Sequence, residues 1–362
     1  MQSTDDKRIF NVYDKLYQGT DLFRDYVLIS GRLSIHAEFT DLDISEFIKE
    51  FKIKILDISE YFDGDELNIA LDGLISIYVN CNKIKKLAIN SEINTLIASN
   101  NLISDLEINC FSVESLSLNS NNLTCFNFNL PLLSHLNLCR NKLREFSGKL
   151  PSLKHLDLTG NDIAAFNAEL PNLEFLNLSD NKLVDFNPNL PKVEKIDIDN
   201  NLLETLDLNA PKLIILLASS NKLTHFDHSG IPNIKRLYLR DNKLTKFDCP
   251  SVATDVDISG NYIYKVNINS SQLIKFAGKN NHMSEISIIA NKLERLYLSN
   301  NLICIIPEPC QIPNINVIDL GDNPIPDYEG TFYDIVSPKL YYEYWTIIKN
   351  QKRNKLTKSA RK

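Results

Sequence analysis

Three polar side chains near the middle of the chain have types and spacing that could do chemistry. His135 and His155 stand twenty residues apart, and Asp157 lies two beyond the second histidine. Two imidazoles and a carboxylate could hold a divalent cation, or act as a base with its orienting acid, if the fold sets them side by side. Little else in the sequence offers such means. It contains no P-loop, no H-E-x-x-H, no G-x-S-x-G and no set of Cys or His at zinc spacing. Three outward polar residues without a supporting phrase are more often a plain polar surface. No catalytic residue, metal or cofactor is therefore expected.

The interval between the histidines belongs to the whole chain. Asn82, Asn101, Asn121, Asn141, Asn161, Asn181, Asn201, Asn221, Asn242, Asn261, Asn281, Asn301 and Asn323 hold one place in a recurring phrase, at successive spacings of 19 to 22 residues. Repetition on this scale decides the architecture before any local reading. With the Asn as position nine, the apolar residues are Leu173, Leu176, Leu178, Leu183 and Phe186 around Asn181, and Ile234, Leu237, Leu239, Leu244 and Phe247 around Asn242. The L-x-L step puts two side chains on one face of an extended segment, so each unit opens with a short strand. One unit cannot bury its own apolar row, but stacked neighbours can. Where each strand turns away, backbone N–H and C=O groups are left inside the stack. An asparagine amide carries the donors and the acceptor to bond them. A column of asparagines is expected to bridge each turn to the next.

The phrase L-x-x-L-x-L-x-x-N-x-L resembles the signature of the leucine-rich repeat family, over about residues 53 to 328. The resemblance implies a right-handed solenoid with a parallel sheet on its concave side, a surface commonly used to grip other proteins. The eight or nine residues left for each return path are too few for a helix with its connections. The segments "FNFNL" at 126–130, "VNINS" at 266–270 and "ISIIA" at 286–290 alternate with period two, which predicts short strands or extended segments on the outer side. In this the chain is similar to the short, nested repeats called IRREKO-type. Phe126, Phe146, Phe166, Phe186, Phe226 and Phe247 share one column, interrupted by Leu206, and predict an aromatic spine. Ala98, Ala218 and Gly278 depart from the leucine of position six, and the units of Asn261 and Asn281 are the least regular.

Solenoid ends need covers. Residues 1–52 read as an N-terminal cap, with a strand pair in "YVLISGRLSIH" and an amphipathic helix over 41–52. Residues 329–350 read as a capping region whose helix starts at Ser337 and Pro338, and 351–362 as a basic disordered tail. The run 349–362 holds seven basic residues and no acidic one, so the rest of the chain is more acidic than its formal net charge of −7. Such a tail could meet nucleic acid or an anionic membrane, but it lacks the interleaved aromatics that stack bases. The start "MQSTDDKRIF" does not read as a secretory signal, and the most apolar run, "LIILLA" at 213–218, is too short to span a bilayer. Seven cysteines without pair spacing read as free thiols. An intracellular, cytoplasmic location is expected.

A binding surface is easier to place than a reaction. Positions three, five and seven of each strand face outward. Phe175, Ile215, Leu217 and Tyr238 are apolar there, with Arg236 and Arg240 beside them. Arginine, tyrosine and apolar anchors are what interface hot spots favour. The expectation is a non-enzymatic scaffold that binds a protein partner on its concave face. Two alternatives stand beside it: nucleic-acid or membrane association through the basic tail, and an enzyme or metal site at His135, His155 and Asp157.

Overall fold

The computed structural model describes residues 26–29, 32–35, 52–305 and 308–325. They form two compact units, one running to Lys182 and including Pro188–Leu190, the other made of Leu183–Asn187 and the residues from Pro191 onward. The helix expected over 41–52, apart from Lys52, the capping helix of 329–350 and the basic tail lie outside the described residues.

The first unit opens with the expected strand pair, Tyr26–Ile29 antiparallel to Arg32–Ile35. A parallel sheet follows from it through Ile55–Asp57, Ser76–Tyr78, Thr95–Ile97, Ser115–Ser117, His135–Asn137, His155–Asp157 and Phe175–Asn177. In the second unit the parallel order is Lys195–Asp197, Ile215–Leu217, Arg236–Tyr238, Asp255–Asp257, Lys275–Ala277, Arg295–Tyr297 and Val317–Asp319. These are the principal sheets. Each strand is three residues long because only the L-x-L step is extended before the turn, and its central residue is buried, as Leu176 and Leu216 are.

Many return paths are short strands, as the alternation predicts at 266–270 and 286–290, whereas 126–130 forms none. In the first unit Glu66–Ile69, Lys86–Ile89 and Asp105–Ile108 form one short parallel sheet, and Glu145–Lys149 pairs with Ala165–Glu169. In the second, Lys246–Asp248, Lys265–Asn269 and Glu285–Ile289 form another. Among the described residues the only helical segment is the single 3-10 turn Pro309–Gln311. Both units are thus parallel β-solenoids, with about 13 turns between them. Between the two sheets of each turn lies the core, and there the rings of Phe126, Phe146 and Phe166 stack at 6.2 and 5.8 Å. The irregular stretch keeps register. Gly278, where a Cβ would come within 2.6 Å of Met283 Cε, leaves room for the long side chain of Met283.

The asparagine column does what the buried turns require. Asn161 Nδ2 donates to the carbonyls of Leu138 and Leu158, at 3.0 and 2.9 Å, and its Oδ1 accepts from the Leu143 N–H at 3.1 Å. Asn181 repeats the pattern on Leu158, Leu178 and Ile163, so the Leu158 carbonyl accepts from two successive amides. The second unit continues it from Asn221 through Asn242, Asn261, Asn281 and Asn301. One feature of this turn was not anticipated from the sequence. The residue just before each ladder asparagine is left-handed, with φ between 52° and 58° for Cys81, Asn100, Ser120, Arg140, Asp180, Asn200, Ser220, Asp241, Asn280, Asn300 and Asp322, and 68° and 71° for Gly160 and Gly260. That conformation aims its N–H at the following repeat, as in Gly160 N–H to Ser179 O at 3.0 Å. The signal was available: most residues in the column are Asn, Asp or Gly, the types that tolerate this region best.

Candidate binding face

The principal sheet puts His135 directly opposite His155, and Asn137 opposite Asp157. The imidazoles lie face to face, with centroids 4.6 Å apart and planes 9° from parallel. Ring-nitrogen lone pairs lie in the ring planes, so two parallel rings direct them side by side rather than toward one point. Asp157 is turned along its own strand, accepting from the Thr159 N–H at 3.0 Å and its hydroxyl at 2.7 Å. Ser134 Oγ lies 2.8 Å from His135 Nδ1. Of the three residues that could have done chemistry, the two histidines are brought together as a stack and Asp157 is engaged by Thr159. Among the described residues no group of three His, Cys, Asp or Glu is placed to hold a metal ion. Burial holds the His135 imidazole below its ordinary value, with His155 and then Lys154 adding to the effect. Phe175 extends the stack, tilted 31° at 6.1 Å from His155.

In the second unit five of the expected contact residues form one surface. Ile215 stands opposite Arg236 and Leu217 opposite Tyr238, so each apolar residue has a hot-spot type as its cross-strand neighbour. Ile215, Leu217 and Tyr238 are half-buried, while Ile214 beside them and both arginines are exposed. Phe175, the sixth, belongs to the first unit and to its histidine stack.

The next strands carry residues that the sequence reading left out. Tyr238 donates its hydroxyl to Asp255 at 3.1 Å. Burial, then the Asp255 carboxylate, pushes that phenol above its ordinary value. Lys275 Nζ lies 3.4 Å from the other Asp255 oxygen, Arg240 Nε 3.7 Å from Asp257, and Lys279 Nζ 2.6 Å from Asp319. The Lys279 ammonium also lies 5.0 Å from the centre of the Tyr297 ring. These residues hold positions three, five and seven of the following repeats, and the repeat frame would have found them had it been carried past Arg240. The first unit's face differs. Ser99, Ser117 and Asn119 bond to one another there, and its strands carry few charges.

A ladder of buried asparagines between parallel strands defines a repeat solenoid. The family profile described as Leucine Rich Repeat matches residues 172–193 and 292–311. No curated protein matches the chain. Among solved structures, the leucine-rich repeat domain of APL1B is 19% identical, with a TM-score of 0.52, covering 89% of this chain and 88% of that one. YopM from Yersinia enterocolitica is 19% identical, with a TM-score of 0.46 and coverage of 83% and 85%. A leucine-rich repeat protein of Leptospira interrogans is 18% identical, with a TM-score of 0.46 and coverage of 86% and 97%. Two stretches of the chain thus match the leucine-rich repeat, and its fold is that of a leucine-rich repeat solenoid. That fold is in general a scaffold for protein–protein interaction.

Proposed function

We propose that the chain is a non-enzymatic scaffold that takes a protein partner on the outward face of the second unit's principal sheet, at Ile215, Leu217, Arg236, Tyr238 and Arg240. The observation that supports this most is the register of Ile215 with Arg236 and Leu217 with Tyr238. It sets apolar and guanidinium groups side by side on strands whose backbone is already paired, so a partner meets side chains on a rigid support. In the first unit Phe175 and the two histidines supply an aromatic contact surface of their own. The seven cysteines are all free thiols, which suits a reducing compartment. No helix among the described residues is long and apolar enough to cross a membrane.

The test is substitution on opposite faces. Arg236→Glu combined with Tyr238→Ala should weaken binding of a cognate partner by about 2–4 kcal/mol, because a few central residues carry most interface energy. Asp185→Ala and Asn187→Ala, exposed on the return path, should leave binding unchanged. Loss of binding in the second pair with none in the first would overturn the proposed face.

A further inference from the structure

The cations of this face fall into two groups. Lys275, Lys279 and Arg240 are engaged by Asp255, Asp319 and Asp257. Arg236 and Arg295 are exposed, and their guanidiniums have no hydrogen bond or ion pair among the described residues. The Asp255 carboxylate opposite Arg236 is already held by Tyr238 and Lys275. Arg295 stands between Lys275 and Val317 and has no carboxylate as a cross-strand neighbour. The strands of Arg236, Asp255, Lys275 and Arg295 are consecutive in the sheet. Three steps of about 4.8 Å separate the two free guanidiniums by about 14 Å. Beyond Arg236, on the next strand, lie the apolar side chains of Ile215 and Leu217.

This order has a counterpart in one kind of ligand. An extended peptide advances about 3.3 Å per residue and shows alternate side chains to one face, so residues four apart lie about 13 Å apart on the same side. We infer, resting on the face proposed above, that the partner presents an extended acidic segment laid across the strands, with an apolar side chain on Ile215 and Leu217 and carboxylates four residues apart on Arg236 and Arg295. Guanidinium is suited to this because its planar fork takes a carboxylate through two N–H donors. The residue midway between the two acids faces the Asp255–Lys275 ion pair, whose charges cancel, so it is neutral. A nucleic-acid strand fits poorly, since its phosphate at every nucleotide would set negative charge against Asp255 and Asp257.

The experiment uses the full chain and three labelled twelve-residue peptides, read by fluorescence anisotropy at low salt. The first carries Leu followed by two Glu four residues apart, the second carries the same residues with the two Glu adjacent, and the third replaces both Glu by Lys. The first should bind at least tenfold more tightly than the others. Arg236→Glu and Arg295→Glu should each erase that preference, while Lys265→Glu on the return path should not. Equal binding of the first two peptides, or a preference that survives both arginine substitutions, overturns the inference. So does an oligo-dT strand that binds more tightly than the first peptide and displaces it. If no peptide binds but Arg236→Glu with Tyr238→Ala still releases a cognate partner, the acidic segment is wrong and the face itself stands. Should those two substitutions leave the cognate partner bound, the face is wrong as well.

Discussion

Replacing Asn181 by leucine is the sharpest trial of the ladder. Its Oδ1 accepts from the Ile163 N–H at 3.0 Å, and its Nδ2 donates to the carbonyls of Leu158, Leu178 and Ser179 at 3.0, 3.0 and 3.1 Å. Leucine has a similar branched shape, though a larger volume, and offers none of these bonds. The Leu158 carbonyl would keep its bond from Asn161, but the Ile163 N–H has no other acceptor and both its residue and Asn181 are buried. An orphaned buried donor costs about 1–3 kcal/mol, and the weakened carbonyls add to it, so a loss of about 2–4 kcal/mol is expected. Asn122 is the control. It is half-buried, and its amide makes one long contact of 3.4 Å to the exposed Leu102. Asn122→Leu should stay within about 0.5 kcal/mol. Urea denaturation followed by circular dichroism gives the comparison. Because a repeat array can lose two-state behaviour, hydrogen exchange at the Ile163 amide supplies a local reading, which should quicken sharply in Asn181→Leu alone. Equal losses for the two variants, with unchanged exchange at Ile163, would refute the argument that the column acts through buried backbone groups.

Three further outcomes follow from the geometry. Ser220, at a φ of 54°, should gain up to about 1 kcal/mol as Ser220→Gly, because the left-handed strain outweighs the added chain entropy; a clear loss in thermal stability would contradict it. By NMR titration His135 should protonate below 6.5, and its folded pKa being depressed, its small contribution to stability is complete above that pH and declines as the pH falls toward the folded value. His155→Ala should return the midpoint only part of the way, since burial is the larger cause, and a midpoint at or above 6.5 in the intact protein would count against the stack. Burial pushes the Cys249 thiol up to about 12, so at pH 8 it should react with a thiol reagent far more slowly than the exposed Cys81, Cys125, Cys304 and Cys310; equal rates would show that the site is open.

Much of this architecture can be read from the chain because each column is written many times. A single Asn181 flanked by leucines would be ambiguous, but the same residue at near-constant spacing, with an apolar pair like Leu176 and Leu178 ahead of it in most repeats, leaves one arrangement that buries every apolar row. The strand pair at Tyr26–Ile29 and Arg32–Ile35 and the extended return strands at Lys265–Asn269 and Glu285–Ile289 follow from local alternation alone. The left-handed residue before each asparagine is harder to read, because its Asn, Asp and Gly preference is weaker than the invariant column beside it and admits Cys81, Ser120, Arg140 and Ser220. The site was less legible. Position in the repeat puts Ile215, Leu217, Arg236 and Tyr238 on one face, yet it is silent on which cations there are already occupied.

The sequence by itself determined the solenoid, its period and the side of each strand that faces out, since those depend on spacing within one repeat and on an apolar row that only stacking can bury. Tertiary structure decided how side chains from different repeats meet. It laid His135 flat against His155 instead of letting their nitrogens converge. It gave Asp255 to Tyr238 and Lys275 and left Arg236 and Arg295 exposed and unengaged. The physical reason is that spacing fixes where each Cβ emerges, whereas the choice of rotamer and ion pair is a competition among neighbours about 5 Å away on other strands.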